Sequence, residues 1–84
     1  PNEPNIADTL GWVYTKKNLS EQAVKIFQEI VEKQPSNPQY RYHLAVALAQ
    51  KGDKVAAKRE CELALKNGPS AQDAAKIREL MARI

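Results

Sequence analysis

The chain has 84 residues, a formal charge of +3 and a pI near 9.2, with 43% hydrophobic and 27% charged residues. That length allows one small domain with a thin stability margin, because a chain of this size buries only about 60–65% of its unfolded surface. No apolar run approaches the ~18 residues of a membrane span, and the single Cys61 excludes an internal disulfide.

The first predicted helix runs from about Asn5 to Lys17, with Ile6, Leu10, Val13 and Tyr14 on one face at 3.6-residue spacing. Its start is open. Pro4 suits a first helical position, while Asn5 with Asp8 three residues on resembles a capping box. Asn18 suits the left-handed turn that ends a helix. The second helix begins after Ser20 as N-cap and runs to about Lys33. Ala23, Phe27, Ile30 and Val31 form its inward stripe, Ile26 widens it, and Pro35 stops it.

Asn37 and Pro38 are N-cap and first residue of a third helix, which runs to about Lys51 with Tyr40, Leu44, Ala47 and Leu48 inward. Gly52 ends it. Asp53 caps a fourth helix, Lys54 to about Asn67, whose inward residues are Ala57, Cys61, Ala64 and Leu65. Asn67-Gly68-Pro69 terminates that helix. Ser70-Ala71-Gln72-Asp73 forms a further capping box and opens a last helix from Ala71 to about Arg83. Ala74, Ile77, Leu80, Met81 and Ile84 make its single apolar stripe.

The chain repeats itself with a shift of 34 residues: Pro4 recurs as Pro38, Leu10 as Leu44, Lys17 as Lys51, Ala23 as Ala57 and Pro35 as Pro69. A fixed period of this length marks a helical solenoid. It divides the chain into units at 4–37 and 38–71, a capping helix at 72–84, and a leading 1–3 that aligns with the end of a unit. On that alignment, and without a starting Met, the chain reads as the tail of a longer array. A signal or membrane anchor would lie on a missing part. The repeat breaks in the last helix, where Arg78 and Glu79 fall on the shift from Leu44 and Ala45. Such a helix keeps the last apolar face of a solenoid out of water.

Leu10-Gly11, Tyr14, Ala23, Phe27 and Pro35, and then Leu44-Ala45, Leu48, Ala57, Cys61 and Pro69, resemble the tetratricopeptide repeat (TPR) signature in order and spacing. The resemblance covers Pro4 to Ala71. It implies an all-α fold: a right-handed solenoid of two helix–turn–helix repeats plus a C-terminal capping helix, five helices in total. It also implies that Gly11 and Ala45 are small because paired helices cross closely there, with Ala23 and Ala57 as facing small residues. Phe27 would fill the first crossing, and Cys61, replacing the usual large residue, would fill the second less well. The signature's Trp is absent, with Ala7 and Arg41 in its place. The phrase from Ala7 to Trp12, followed by Arg41 to Ala45, is similar to the last repeats of long bacterial repeat proteins, some of them envelope lipoproteins linked to exopolysaccharide and exosortase loci.

Family partners lie in the concave groove lined by the first helix of each unit. Mapped onto this chain, that implies a protein or peptide held by Asp8, Thr9, Trp12 and Lys16 from the first unit. The second unit adds Gln39, Tyr42, His43, Val46 and Gln50, and Asn5, Thr15 and Ala49 fall on the same mapping. Trp12 is either a binding anchor, as aromatic residues often are, or a buttress packed on Tyr42 and Val46. The carboxylate clamp of some members is expected to be absent, since its positions hold Asp8, Trp12, His43, Gln72 and Ile77. His43 has no second His and no carboxylate three or four residues away, so it reads as a solvent-facing groove residue and not a metal ligand. Cys61 reads as a small core residue. No phosphate loop or nucleophile–base pair appears, so no enzyme, cofactor or small-molecule substrate is expected.

Glu21–Lys25, Glu29–Lys33 and Glu62–Lys66 are i,i+4 pairs and read as a solvated face. The uncompensated cations Lys16, Lys17, Arg41 and Lys51 are too spread to favour nucleic acid. Ile6 and Val13 lack the partner helix that their equivalents Tyr40 and Ala47 are expected to have. They are a candidate self-association face, and the chain is expected to be marginal or self-associated. A purely structural role, as the end of a scaffold, is one alternative to partner binding, and weak binding of nucleic acid or an acidic partner through the basic surface is another.

Overall fold

Breakers and caps in the sequence set the helix ends. The computed structural model describes residues 3–84 and contains α1 (Pro4–Lys16), α2 (Ser20–Lys33), α3 (Pro38–Lys51), α4 (Lys54–Lys66) and α5 (Ala71–Arg83). Of the leading 1–3 segment, Pro1 and Asn2 lie outside the described residues. Pro4 stands at the start of α1 after Glu3, so Asn5 lies within the helix and the Asn5–Asp8 capping box does not form. Asn37 accepts from the backbone N–H groups of Gln39 and Tyr40, Asp53 from that of Ala56 and Ser70 from that of Asp73. Each bond satisfies a helix donor that would otherwise lack a partner.

Ser20 is a correction. It is the first residue of α2, not its cap, and Leu19 precedes it with no side-chain cap. The Ser20 hydroxyl instead donates to Gln50 Oε1 at 2.7 Å. Contact with the next repeat takes precedence over the local cap.

The same turn closes α1 and α3. Asn18 (φ 61°) and Gly52 (φ 99°) both adopt the left-handed conformation. Leu19 N–H donates to Tyr14 O and Asn18 N–H to Thr15 O; one period on, Asp53 N–H donates to Leu48 O and Gly52 N–H to Ala49 O. This is the Schellman pattern, and it turns each chain segment back into an antiparallel helix pair.

Within the first pair, Gly11 lets α1 and α2 approach. A Cβ added there would lie 2.5 Å from Phe27 Cε1, and Phe27 is fully buried, so its ring has nowhere to go. One period later the pair is Ala45 and Cys61, both fully buried in one cluster. The larger residue on α3 thus accompanies a smaller one on α4, which offsets the loss of ring volume.

Two clusters make the core. Ala23, Val24, Phe27, Ile30 and Val31 of α2 meet Leu44, Ala47 and Leu48 of α3 and Ala57 of α4. Ala45, Cys61 and Ala64 meet Ile77 and Leu80 of α5. α5 therefore buries Ala74, Ile77 and Leu80 of the expected stripe and half-buries Met81 and Ile84, and Val24 joins the core unforeseen. The face of α1 behaves differently from its equivalent. Ile6, Leu10 and Val13 are 55%, 44% and 42% exposed, whereas Leu44 and Ala47 are 4% and 0% exposed beneath α2.

Gly11→Ala is expected to cost about 1–3 kcal/mol, and Phe27→Leu to recover part of that loss in a double-mutant cycle. Cys61→Phe is expected to destabilise on its own and less so alongside Ala45→Gly. Urea unfolding of these variants checks both pairs; strictly additive losses would show that these contacts do not set the crossings.

Candidate functional site

α1 touches α3 and α3 touches α5, while among the described residues α2 and α4 stand apart. A cavity of about 430 Å³ opens in the gap between them, with Val31, Leu44, Leu48 and Ala56 along its floor and Glu32, Arg59 and Glu60 among its polar lining. Helix contact is therefore closer along the α1–α3–α5 row than between α2 and α4. The mapped groove residues on α1 and α3 belong to that row.

His43 is at the centre of this side. Its Nδ1 lies 2.5 Å from Asp8 Oδ1, and both side chains are about 15% exposed. The Trp12 ring meets it edge-on at a centroid distance of 4.7 Å, with Tyr42 at 6.0 Å and Tyr40 at 6.4 Å. Phe27 lies beneath, 5.8 Å from His43 and 6.0 Å from Trp12. His43 is thus enclosed, not solvent-facing as its sequence context suggests. The carboxylate it needs is 35 residues away, across the repeat. Trp12 is half-buried on Phe27 and His43.

Gln50 is also engaged. Its Nε2 donates to Thr15 O at 3.0 Å and Asn18 Oδ1 at 3.2 Å, and its Oε1 accepts from Ser20. It ties α3 to the turn between α1 and α2. Thr15, mapped to the groove, is buried, and its hydroxyl donates to Gly11 O at 2.8 Å. Thr9 and Lys16 are exposed, and Thr9 donates to Asn5 O. Val46 is half-buried against the second cluster.

α5 adds residues the signature mapping does not name. Gln39 Nε2 donates to Asp73 Oδ2 at 3.5 Å. Burial raises the Tyr42 hydroxyl above its ordinary range, opposed by the Arg83 guanidinium and reinforced by Glu79. Asp73 thus meets the Gln39 end of the row, and the charges of Glu79 and Arg83 reach Tyr42. Ile77, one of the clamp positions, is fully buried and faces the core.

Arg41 corrects the charge reading. It pairs with Glu60 at 2.9 Å and donates from Nε to Pro35 O at 2.7 Å, so it is not an uncompensated cation. Lys16, Lys17 and Lys51 are exposed, as are all six members of the surface Glu–Lys pairs. Among the described residues no three His, Cys, Asp or Glu side chains gather as a metal site, and no helix is long and apolar enough to cross a membrane. Cys61 is fully buried, and burial, with Glu60 and Glu62 nearby, pushes its thiol from 9.0 up to about 11.

Antiparallel helix pairs repeated at a 34-residue shift, with matching turns and crossings, define a helical repeat protein. A family model described as Tetratricopeptide repeat matches residues 6–84, and the chain belongs to that family. The match extends through α5, which the signature residues alone leave outside. Repeats of this family generally mediate protein–protein interaction and are typically non-enzymatic. A comparison with curated proteins found no match.

Alanine replacement of Asp8 and His43, singly and together, is expected to give a coupling energy of about 1–2 kcal/mol in a stability cycle, since the pair is a mostly enclosed charge-assisted bond. A coupling near zero would leave the rings, not the bond, holding α1 to α3. The Cys61 thiol is expected to resist a disulfide reagent at pH 8 in the folded chain and to react on unfolding. A thiol whose folded pKa is raised contributes stability fully below its unfolded value and loses that contribution as pH rises. Stability is therefore expected to fall between about pH 9 and 11 in the native chain and less so in Cys61→Ala, as read by urea titrations across that range.

Proposed function

We propose that this chain binds a peptide or helix of another protein on the α1–α3–α5 side, and that Trp12 and Tyr42 are the anchors. The supporting observation is the setting of Trp12. Its ring is held by Phe27 and by His43, and Asp8 fixes His43 from the opposite repeat. An aromatic residue held in place before binding loses little entropy when a partner covers it, which favours it as a hot spot. Thr9, Lys16, Gln39 and Val46 border this anchor and supply polar and apolar contacts around it. The repeats run 4–37 and 38–71 in this reading, with 72–84 closing the row.

A second reading is that the chain only stiffens a scaffold. The engagement of Asp8, His43 and Gln50 in bonds between helices favours it, since these groups have less capacity left for a partner.

The two readings part in one experiment. A peptide array is probed with the folded chain, and hits are measured by calorimetry against Trp12→Ala and Tyr42→Ala. The binding reading expects at least one hit to weaken by about 30-fold or more in each variant, the size of a hot-spot loss. It also expects free-acid and amide forms of a hit to bind alike, because the clamp positions supply no lysine or arginine. Unchanged affinity in both variants would leave the scaffold reading, and strong dependence on a free carboxylate would overturn the anchor assignment.

A further inference from the structure

The outer face of α1 has the makings of a contact with its own copy. Glu3, Ile6, Leu10, Val13 and Lys17 follow one another at steps of three and four, the spacing of a seam between two packed helices. Ile6, Leu10 and Val13 are 55%, 44% and 42% exposed, and Glu3 and Lys17, the residues flanking α1, are exposed as well. On α3 the equivalent residues Leu44 and Ala47 are covered by α2, so this kind of face accepts a helix in this fold. The far end of the stack differs: the exposed residues of α5 are Lys76, Arg78, Glu79 and Arg83 with small or polar neighbours.

We propose that a second copy of this chain covers the face, with α1 packed antiparallel against α1 about a twofold axis at Leu10. The stripe is self-complementary only in that arrangement. Leu10 meets Leu10, Ile6 meets Val13, and the Glu3 carboxylate at one end meets the Lys17 ammonium at the other, twice over by symmetry. Opposed helix dipoles agree with the same orientation. A parallel pairing would set Glu3 beside Glu3 and Lys17 beside Lys17. This contact lies apart from Trp12 and Tyr42 and does not rest on the binding reading above.

Light scattering across a concentration series, at low and high salt, tests it on the 84-residue chain. The expected result is a concentration-dependent dimer that Leu10→Glu renders monomeric. Glu3→Lys and Lys17→Glu are each expected to weaken the dimer by about threefold to thirtyfold at low salt, and the two together to restore it. Both charge changes are on exposed positions. If circular dichroism shows Leu10→Glu to be unfolded, the charge-swap set decides alone. A monomer at every concentration, or a dimer indifferent to the swap, would overturn the proposal. So would a monomer that binds a peptide of the α2 sequence, residues 20–33, in place of its own copy; that result would assign the face to a different helix of α2 type.

Discussion

The close approach of Gly11 to Phe27 is the constraint on which the rest of the molecule depends. With no Cβ on α1 at that point, the Phe27 ring fits between the paired helices and is fully buried. The ring then forms the floor on which Trp12 and His43 rest. Packing within one repeat is thus continuous with the surface proposed to meet a partner. In the second repeat the same position is solved with Ala45 and Cys61, and no aromatic floor results. Tyr42 there rests partly on the second cluster and α5. The two repeats share a backbone plan and differ in which side chains fill it, so the aromatic surface gathers at the seam between them and not within either.

That seam is held by polar groups about one period apart. Asp8 meets His43 and Gln50 meets Thr15 across it, both at separations of 35 residues, and Gln39 meets Asp73 of α5 in the same way 34 residues on. Apolar contacts alone would tolerate sliding of one helix pair over the next, because the hydrophobic effect is non-directional. Hydrogen bonds of fixed geometry set the register. One of them, Asp8 to His43, also holds the ring against which Trp12 packs, so rigidity of the stack and preorganisation of the candidate anchor share a cause there.

Local chemistry was legible in the sequence and cross-repeat chemistry was not. The caps at Asn37, Asp53 and Ser70 and the turns at Asn18 and Gly52 act within three or four residues, so type and position reveal them. Ser20 looks like a cap by the same rule, yet its hydroxyl serves Gln50 instead. Arg41 looks uncompensated until Glu60, 19 residues on, is brought beside it. For His43 a signal was present: residues one period apart on successive inner helices are neighbours, and Asp8 is at that distance give or take one. The exposure of Leu10 could not be read from its own repeat, because Leu44 is buried by contact with α2, a helix of the other repeat, and no described helix stands in that place for Leu10.

The ends of the stack then follow from the same translation. Each inner helix offers one face to the helix before it and one to the helix after it. α3 has both neighbours, and its Leu44, Ala45, Ala47 and Leu48 are all buried. Among the described residues α5 meets only the helices before it, and its sequence abandons the repeat, placing charge on its exposed side. Among the described residues α1 meets only the helices after it, and its sequence keeps the apolar positions of the repeat. The departure from periodicity at one end and the fidelity to it at the other are what make the two ends chemically unlike. An exposed stripe of three aliphatic side chains carries a hydration cost that the charged face of α5 does not, which is the physical basis for the proposed covering of α1 by a second copy.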